Sequence, residues 1–200
     1  ILIACNSASA VAYELVKEYV GRKAIVMDVI NPMIDYLAKN YIDKTIGLIG
    51  TKQTVNSNIY RKKLDELGIN IRLNTLATPL LVPLIEEGFA DQAIMTDAIK
   101  SYLSESSLHN LDALVLACTH YPLIKQPIKQ FFKNKTVIID STDIVAEVVK
   151  NLLIARDLLS SPSSLSKKKF YVSDYTPAFS ALTRLFFKMP ILLERYPLWE

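Results

Sequence analysis

Two cysteines stand in the 200 residues, Cys5 and Cys118, and both occupy the same kind of place. Each ends an apolar run of strand type and is followed by hydrogen-bonding side chains, in Ile3-Ala4-Cys5-Asn6-Ser7-Ala8-Ser9 and Ala117-Cys118-Thr119-His120-Tyr121-Pro122. A thiolate can act as a nucleophile, a metal ligand, a redox partner or a base. Cys5, Cys118 and His120 make only three metal ligands, without a usual zinc spacing. Redox exchange would need the two sulfurs at bonding distance. Nucleophilic catalysis normally takes one thiol and one oriented base, which leaves the second thiol idle. Two opposed bases suit one problem well: taking a proton from one face of a carbon while the other face receives one. That is racemisation or epimerisation without a cofactor. A pyridoxal route would need a Schiff-base lysine. None stands at either junction, and a lysine elsewhere in the chain stays open.

The plainer readings have their own grounds. A free cysteine is ordinarily a small buried hydrophobe, and only the repetition of the junction weighs against that here. His120 is either a hydrogen-bonded core residue or, two positions from Cys118, a proton-sharing partner; the adjacent thiol favours the second. Glu86, in the stretch Val82-Pro83-Leu84-Ile85-Glu86, reads on composition as an exposed helix-start carboxylate. The turn Ile49-Gly50-Thr51 looks like a phosphate loop but lacks the lysine pattern of one. His109 carries no sign of chemistry.

Strands followed by helices must position these residues. Apolar runs bounded by turn signals suit strands of a parallel sheet covered on both faces, whose carboxyl ends are the usual place for ligands. Strands are expected over 24–30, 45–51, 69–73, 111–117, 137–139 and 170–173. A first helix, capped by Asn6 or Ser7 and stopped by Gly21, should bury Val11, Leu15 and Tyr19 with Ala12 and Val16. Asn31-Pro32 should open a helix running to about Asn40. One helix should carry Val55, Ile59 and Leu67 inward and end at Gly68. Residues 77–88 read as a loop leading into a short helix. A helix over 91–103 should place Ile94, Ala98 and Tyr102 on one face, and one over 122–133 should break at Pro127. Ser141 or Thr142 should cap a helix burying Ile144, Val145, Val148, Val149 and Leu152, and a last helix is expected over 177–188. This alternation means an α/β protein with mainly parallel sheets.

Composition narrows the partners. The formal charge, 23 − 20 = +3, is too slight to argue for nucleic acid. Lys167-Lys168-Lys169 follow a serine-rich stretch and read as a solvated loop. No apolar run approaches the ~20 residues of a membrane span, so no membrane partner is expected. Two free thiols 113 residues apart form no disulfide framework and fit a reducing, cytoplasmic setting.

Taken in order, Ile3-Ala4-Cys5-Asn6-Ser7-Ala8-Ser9, Ile46-Gly47-Leu48-Ile49-Gly50-Thr51, Val82-Pro83-Leu84-Ile85-Glu86 and Ala117-Cys118-Thr119-His120-Tyr121-Pro122 resemble the glutamate racemases of the aspartate/glutamate racemase superfamily. The resemblance runs along nearly the whole chain and implies a cofactor-independent, two-base mechanism. Cys5 would work on one face of the substrate α-carbon and Cys118 on the other. Asn6, Ser7, Thr119 and His120 would hold the amino and carboxylate groups of L- or D-glutamate, His120 would also support Cys118, and Glu86 would join the catalytic cleft. It also implies two α/β lobes, one combining residues 1–29 with 140–200 and one spanning 30–139, with the substrate between them. The product would feed bacterial peptidoglycan synthesis, and a homodimer is the assembly expected. The rivals are an aspartate racemase or another two-thiol racemase, a thiol hydrolase, and a two-lobed ligand-binding protein without chemistry. One departure is marked. Members of the family carry an Asp-Ser-Gly turn and a Tyr-Gly loop ahead of the first cysteine motif, and neither precedes Ile1. A polypeptide starting at Ile1 is therefore expected to be inactive alone, and a longer one competent.

Overall fold

The computed structural model describes residues 1–161, 167–174, 183–184 and 186–197. Its centre is a four-stranded parallel sheet in the order β4-β3-β5-β6. The strands are β3 (Thr45–Gly50), β4 (Arg72–Ala77), β5 (Ala113–Ala117) and β6 (Val137–Asp140). Strand β5 is buried at every position, as an unbroken Ala-Leu-Val-Leu-Ala run requires when both faces are covered. Side chains of β5 point alternately to two cores. Leu114 and Leu116 meet Leu81, Ile85, Met95, Ile99 and Tyr121; Ala113, Val115 and Ala117 meet Ile30, Met33, Leu37, Tyr60 and Leu64. Gly47 of β3 lets Leu111 and Leu114 pack closely: an added Cβ would press on the Cδ1 methyls of both, so these side chains would have to shift.

A second, two-stranded parallel sheet pairs β1 (Leu2–Ile3) with β2 (Met27–Asp28). Between them runs α1 (Asn6–Val20), ended by Gly21 at φ +57°. The chain enters the larger sheet through α2 (Asn31–Asn40) and leaves it through α8 (Ser141–Ala155), and an aspartate sits at each of these turns. Asp28 Oδ1 accepts from the Asn31 backbone N–H and from Asn31 Nδ2 where α2 begins. Asp140 caps α8 by accepting from the Thr142 N–H, and also pairs with Lys125. Burial opposes its ionisation, but the Lys125 bond and the cap hold its carboxyl below the usual range. A third small parallel sheet pairs β7 (Phe170–Val172) with β8 (Leu193–Arg195).

Several expectations fail in instructive ways. In α1 the residues Val11, Leu15 and Tyr19 are exposed, Tyr19 by 89%, and only Asn6 and Ser9 are buried. Periodicity found a real stripe, but no described element covers it. Cys5, not Asn6 or Ser7, stands at the N-cap, without a side-chain bond. The strand expected over 24–30 shrinks to β2, and that over 69–73 shifts to β4. The helix after β3 is two helices, α3 (Lys52–Asn56) and α4 (Ile59–Glu66), broken at left-handed Asn58; Leu67 beyond them is exposed. After the short α5 (Leu81–Glu86), α6 (Ala93–Leu103) buries Met95, Ile99 and Leu103 and leaves Ile94 51% exposed, one residue off the expected face. Pro127 does not break α7 (Lys125–Phe131); it lies in the first turn, where no N–H is needed. In α8 Val145 is buried and Val148 is exposed. Of the helix expected over 177–188, residues 177–182 and 185 lie outside the described residues, as do 162–166 of the serine-rich stretch and the tail 198–200.

Candidate active site

The two thiols emerge at the carboxyl ends of strands in different sheets, Cys5 after β1 and Cys118 after β5. Both are free, Cys5 exposed and Cys118 buried. They are near enough to interact: negative charge on Cys5 adds to the pressure keeping Cys118 protonated. Burial is the main cause, and it pushes the Cys118 thiol up to about 11; the Cys5 and Glu86 charges push the same way. Backbone N–H groups of His120 and Tyr121 oppose the shift by bonding the sulfur. Like charges at neighbouring sites make a second thiolate harder to form than a first. Of the four ways a thiolate can act, two thiols at the ends of strands from different sheets suit a pair working on two faces of one carbon.

A line of contacts leads away from Cys118. Its Sγ lies 3.9 Å from His120 Nδ1, and His120 Nε2 lies 3.2 Å from Glu86 Oε1. Glu86, at the end of α5, is thus tied to the thiol through the imidazole rather than standing alone at a helix start. The edge of His120 also meets Phe186, with ring centroids 6.0 Å apart and planes at 79°. Tyr121 is buried immediately beneath, its hydroxyl 2.6 Å from Thr78 Oγ1 and donating to Thr78 O at 3.3 Å; Thr78 Oγ1 in turn donates to Gly50 O at 3.2 Å. The ends of β3, β4 and β5 are therefore tied together just below the reactive residues. Gly50 packs tightly there, since a Cβ would sit 3.2 Å from Ala117 O.

Cys5 has a different setting. The next residue, Asn6, is turned inward and 2% exposed, and its Oδ1 accepts from Tyr60 Oη at 2.7 Å. Ser7 Oγ lies 2.7 Å from Thr51 Oγ1 and 3.2 Å from Thr54 Oγ1. Thr51 also caps α3, accepting from the Thr54 N–H at 3.2 Å. The small sheet thus meets the large one through polar side chains next to Cys5. Of the residues expected to form a site, Cys118, His120 and Glu86 are joined by direct contacts and Cys5 reaches Cys118 through its charge. Ser7 belongs to a hydroxyl cluster, Asn6 faces the interior, and Thr119 is half-buried beside the thiol. Thr51, Thr54, Tyr60 and Phe186 went unassigned as site residues; only the turn at Thr51 had drawn notice. Their partners lie 44 to 66 positions away, beyond any local spacing rule.

Among the described residues no group of three or more His, Cys, Asp and Glu side chains is arranged to hold a metal ion, and no helix is long and apolar enough to cross a membrane. A cavity of about 730 Å³ lies at the opposite, amino-terminal ends of β1 and β2, lined by Leu2, Ile25, Met27 and Leu152 among others. Neither thiol lines it, and it lies on the wrong side of the strands for a ligand site of this fold.

The model of the Asp/Glu/Hydantoin racemase family matches residues 1–149. The chain belongs to that family. Within it, the chain is 36% identical over 186 residues to the glutamate racemase of Chlorobium phaeobacteroides, covering 93% of this chain and 68% of that one. The crystal structure of the Francisella tularensis glutamate racemase in complex with D-glutamate superposes with a TM-score of 0.87 at 33% identity, covering 98% of this chain and 72% of that one. The aspartate racemase of Picrophilus torridus gives a TM-score of 0.52 at 24% identity over 75% of this chain and 61% of that one, a likeness of fold alone. Membership makes this chain a racemase with the two-lobed α/β architecture of its relatives.

Proposed function

We propose that this racemase interconverts L- and D-glutamate, with Cys5 and Cys118 as the two bases. The observation that carries the proposal is the pair of thiols, one from each sheet, at the carboxyl ends of strands whose sheets meet through Ser7–Thr51 and Asn6–Tyr60. The sequence likeness to glutamate racemases supplies the substrate. In one direction a cysteine thiolate takes the α-proton and becomes a thiol, while the C–H electron pair passes to the α-carbon and its carboxylate. The opposite cysteine gives its proton to the other face and is left as thiolate. The reverse reaction exchanges the roles, so nothing is oxidised or consumed and no cofactor is required.

The burial of Cys118 fits the protonated partner, ready to donate. When Cys118 must act as base, His120 at 3.9 Å and the His120 and Tyr121 N–H groups stabilise its charge. Glu86, at 3.2 Å from the imidazole, orients the ring. The α-proton is a very weak acid, so the carbanion-like transition state needs fixed donors at the substrate carboxylate. Ser7 and Thr119 are suited to that by their place beside the thiols, and His120 and Asn6 complete the set expected to surround the substrate. Residues 1–29 with 140–200 would form one lobe and 30–139 the other, with the cleft between them. Supply of D-glutamate to the bacterial cell wall, a cytoplasmic location and a homodimeric assembly complete the proposal; the location rests on the two free thiols.

The direct test follows the α-proton signal of L- and D-glutamate by NMR in deuterated water with the full-length protein. Loss of the signal from both enantiomers, together with decay of optical rotation to zero, is expected. Binding without exchange would leave only a ligand-binding protein, and exchange of aspartate in preference to glutamate would move the assignment to the aspartate branch.

A further inference from the structure

We propose that Tyr60 is a positioning residue for Cys5, acting through the hydrogen bond that it donates to the Asn6 side chain across the junction of the two sheets. The inference rests on the glutamate racemase assignment and adds a residue to it. Cys5 is exposed and is held by no side-chain cap of its own. Within the small sheet it is held by the β1–β2 pairing at Ile3 and by α1, through the Ser9 N–H bond to Cys5 O at 2.8 Å and the Ser9 Oγ bond to Ile3 O at 3.1 Å. Those bonds set its place within the small sheet. They say nothing of its distance from Cys118, which belongs to the large one.

That distance must be set by contacts between the sheets, and two begin immediately after Cys5. Ser7 meets Thr51 and Thr54 in a partly buried setting. The Asn6–Tyr60 bond is the buried one, at 2.7 Å. Tyr60 is 3% exposed and packed in the core with Leu64, Leu48 and Val115, so its hydroxyl is a fixed point of the large sheet. Burial, with the charge of Asp28 behind it, drives the Tyr60 pKa far upward, which keeps a proton on the oxygen as the donor. Asn6 Nδ2 has no partner among the described residues and is itself enclosed. A buried amide with one satisfied end is an unusual expense in a fold, and here Tyr60 holds that satisfied end. Asn6 is the first residue of α1, so the bond from Tyr60 anchors the first turn of that helix. Losing the anchor would let Cys5 drift, and a shift of about 1 Å in a reacting group can cost on the order of 100-fold in rate.

Tyr60→Phe tests this in the full-length protein. Expected is a fall in kcat of about 10- to 100-fold with KM changed by less than about threefold. The iodoacetamide alkylation rate of Cys5, read by peptide mass spectrometry, should move by threefold or more while that of Cys118 stays. p-Aminophenylalanine at position 60, which restores a donor, should recover most of kcat. Should Tyr60→Phe fold poorly, 4-fluorophenylalanine keeps the volume without a proton to donate and should show the same loss. A kcat within twofold of the parent for either non-donor, a loss that p-aminophenylalanine fails to recover, or a rise in KM with kcat intact would overturn the proposal. If the parent itself exchanges no α-proton of glutamate, the racemase assignment fails separately, and the Cys5 alkylation rate alone then decides whether Tyr60 places that thiol.

Discussion

Cys118 and Cys5 share a motif and almost nothing else. Cys118 closes β5, a strand with neighbours on both sides, and stands 7% exposed above a tied set of strand ends, with His120 and Glu86 in line. Cys5 closes a two-residue strand of a two-stranded sheet, is exposed, and is held by side chains reaching over from the other sheet. The difference teaches that a strand-end cysteine takes its chemistry from the depth of its strand in the sheet. A central strand delivers a desolvated thiol with a raised pKa. Cys5 takes its place from side-chain contacts that reach over from the other sheet.

If both thiols act on one carbon, the contrast must vanish in turnover. Cys118→Ala and Cys5→Ala should each lower kcat/KM by about 1,000-fold or more. The loss must be equal from L- and from D-glutamate, because enantiomers have equal free energy and the equilibrium constant is one. Optical rotation from each side checks it; unaffected turnover in either variant would remove that cysteine from the reaction.

In reactivity the contrast should instead be plain. A thiol raised from 9.0 to about 11 carries about 100-fold less thiolate near neutrality than an unperturbed one. Iodoacetamide at pH 8 should therefore label Cys5 first, and the Cys118 rate should keep climbing as pH approaches 11. The same shift bears on stability. Between about 9 and about 11 the folded protein keeps a proton that the unfolded chain has released, so stability falls as pH rises through that window. Thermal melts at pH 8 and pH 10 give the sign; a higher melting temperature at pH 10 would contradict it.

Gly50→Ala sharpens the comparison by disturbing the Cys118 side most, because its tightest new contact is there. Its new methyl would press on Ala117 O, the carbonyl just before the thiol, and should cost about 1–2 kcal/mol of stability and roughly tenfold in kcat. Cys5 alkylation should be unchanged. The smallest effect is expected of Glu86→Gln, which keeps a hydrogen-bond acceptor for His120 but removes the charge. Glu86 is half exposed, so stability should move by less than about 1 kcal/mol while kcat falls several-fold; denaturant titration and steady-state rates separate the two.

The sequence made the chemistry more legible than the packing. Apolar runs ending in cysteine marked β1 and β5, and Asn31-Pro32 marked the start of α2, because these signals are local. Helix faces were harder. Val11, Leu15 and Tyr19 show that an apolar stripe exists without showing what covers it, and in α6 the buried set moved one residue because the neighbouring α5 and α7 select the face. The Pro127 break failed because the helix starts later than expected. Thr51, Thr54 and Tyr60 looked ordinary for a further reason: a hydroxyl becomes a site residue only when the fold brings its partner from the other sheet.

The two connecting aspartates have a mechanical consequence. Asp28 clamps the start of α2 and Asp140 the start of α8, so the backbone enters and leaves the large sheet at two reinforced turns. Each turn is thereby tied down by a carboxylate where the chain changes direction, so the ends of the large sheet that carry the chain onward are braced rather than left to the backbone alone.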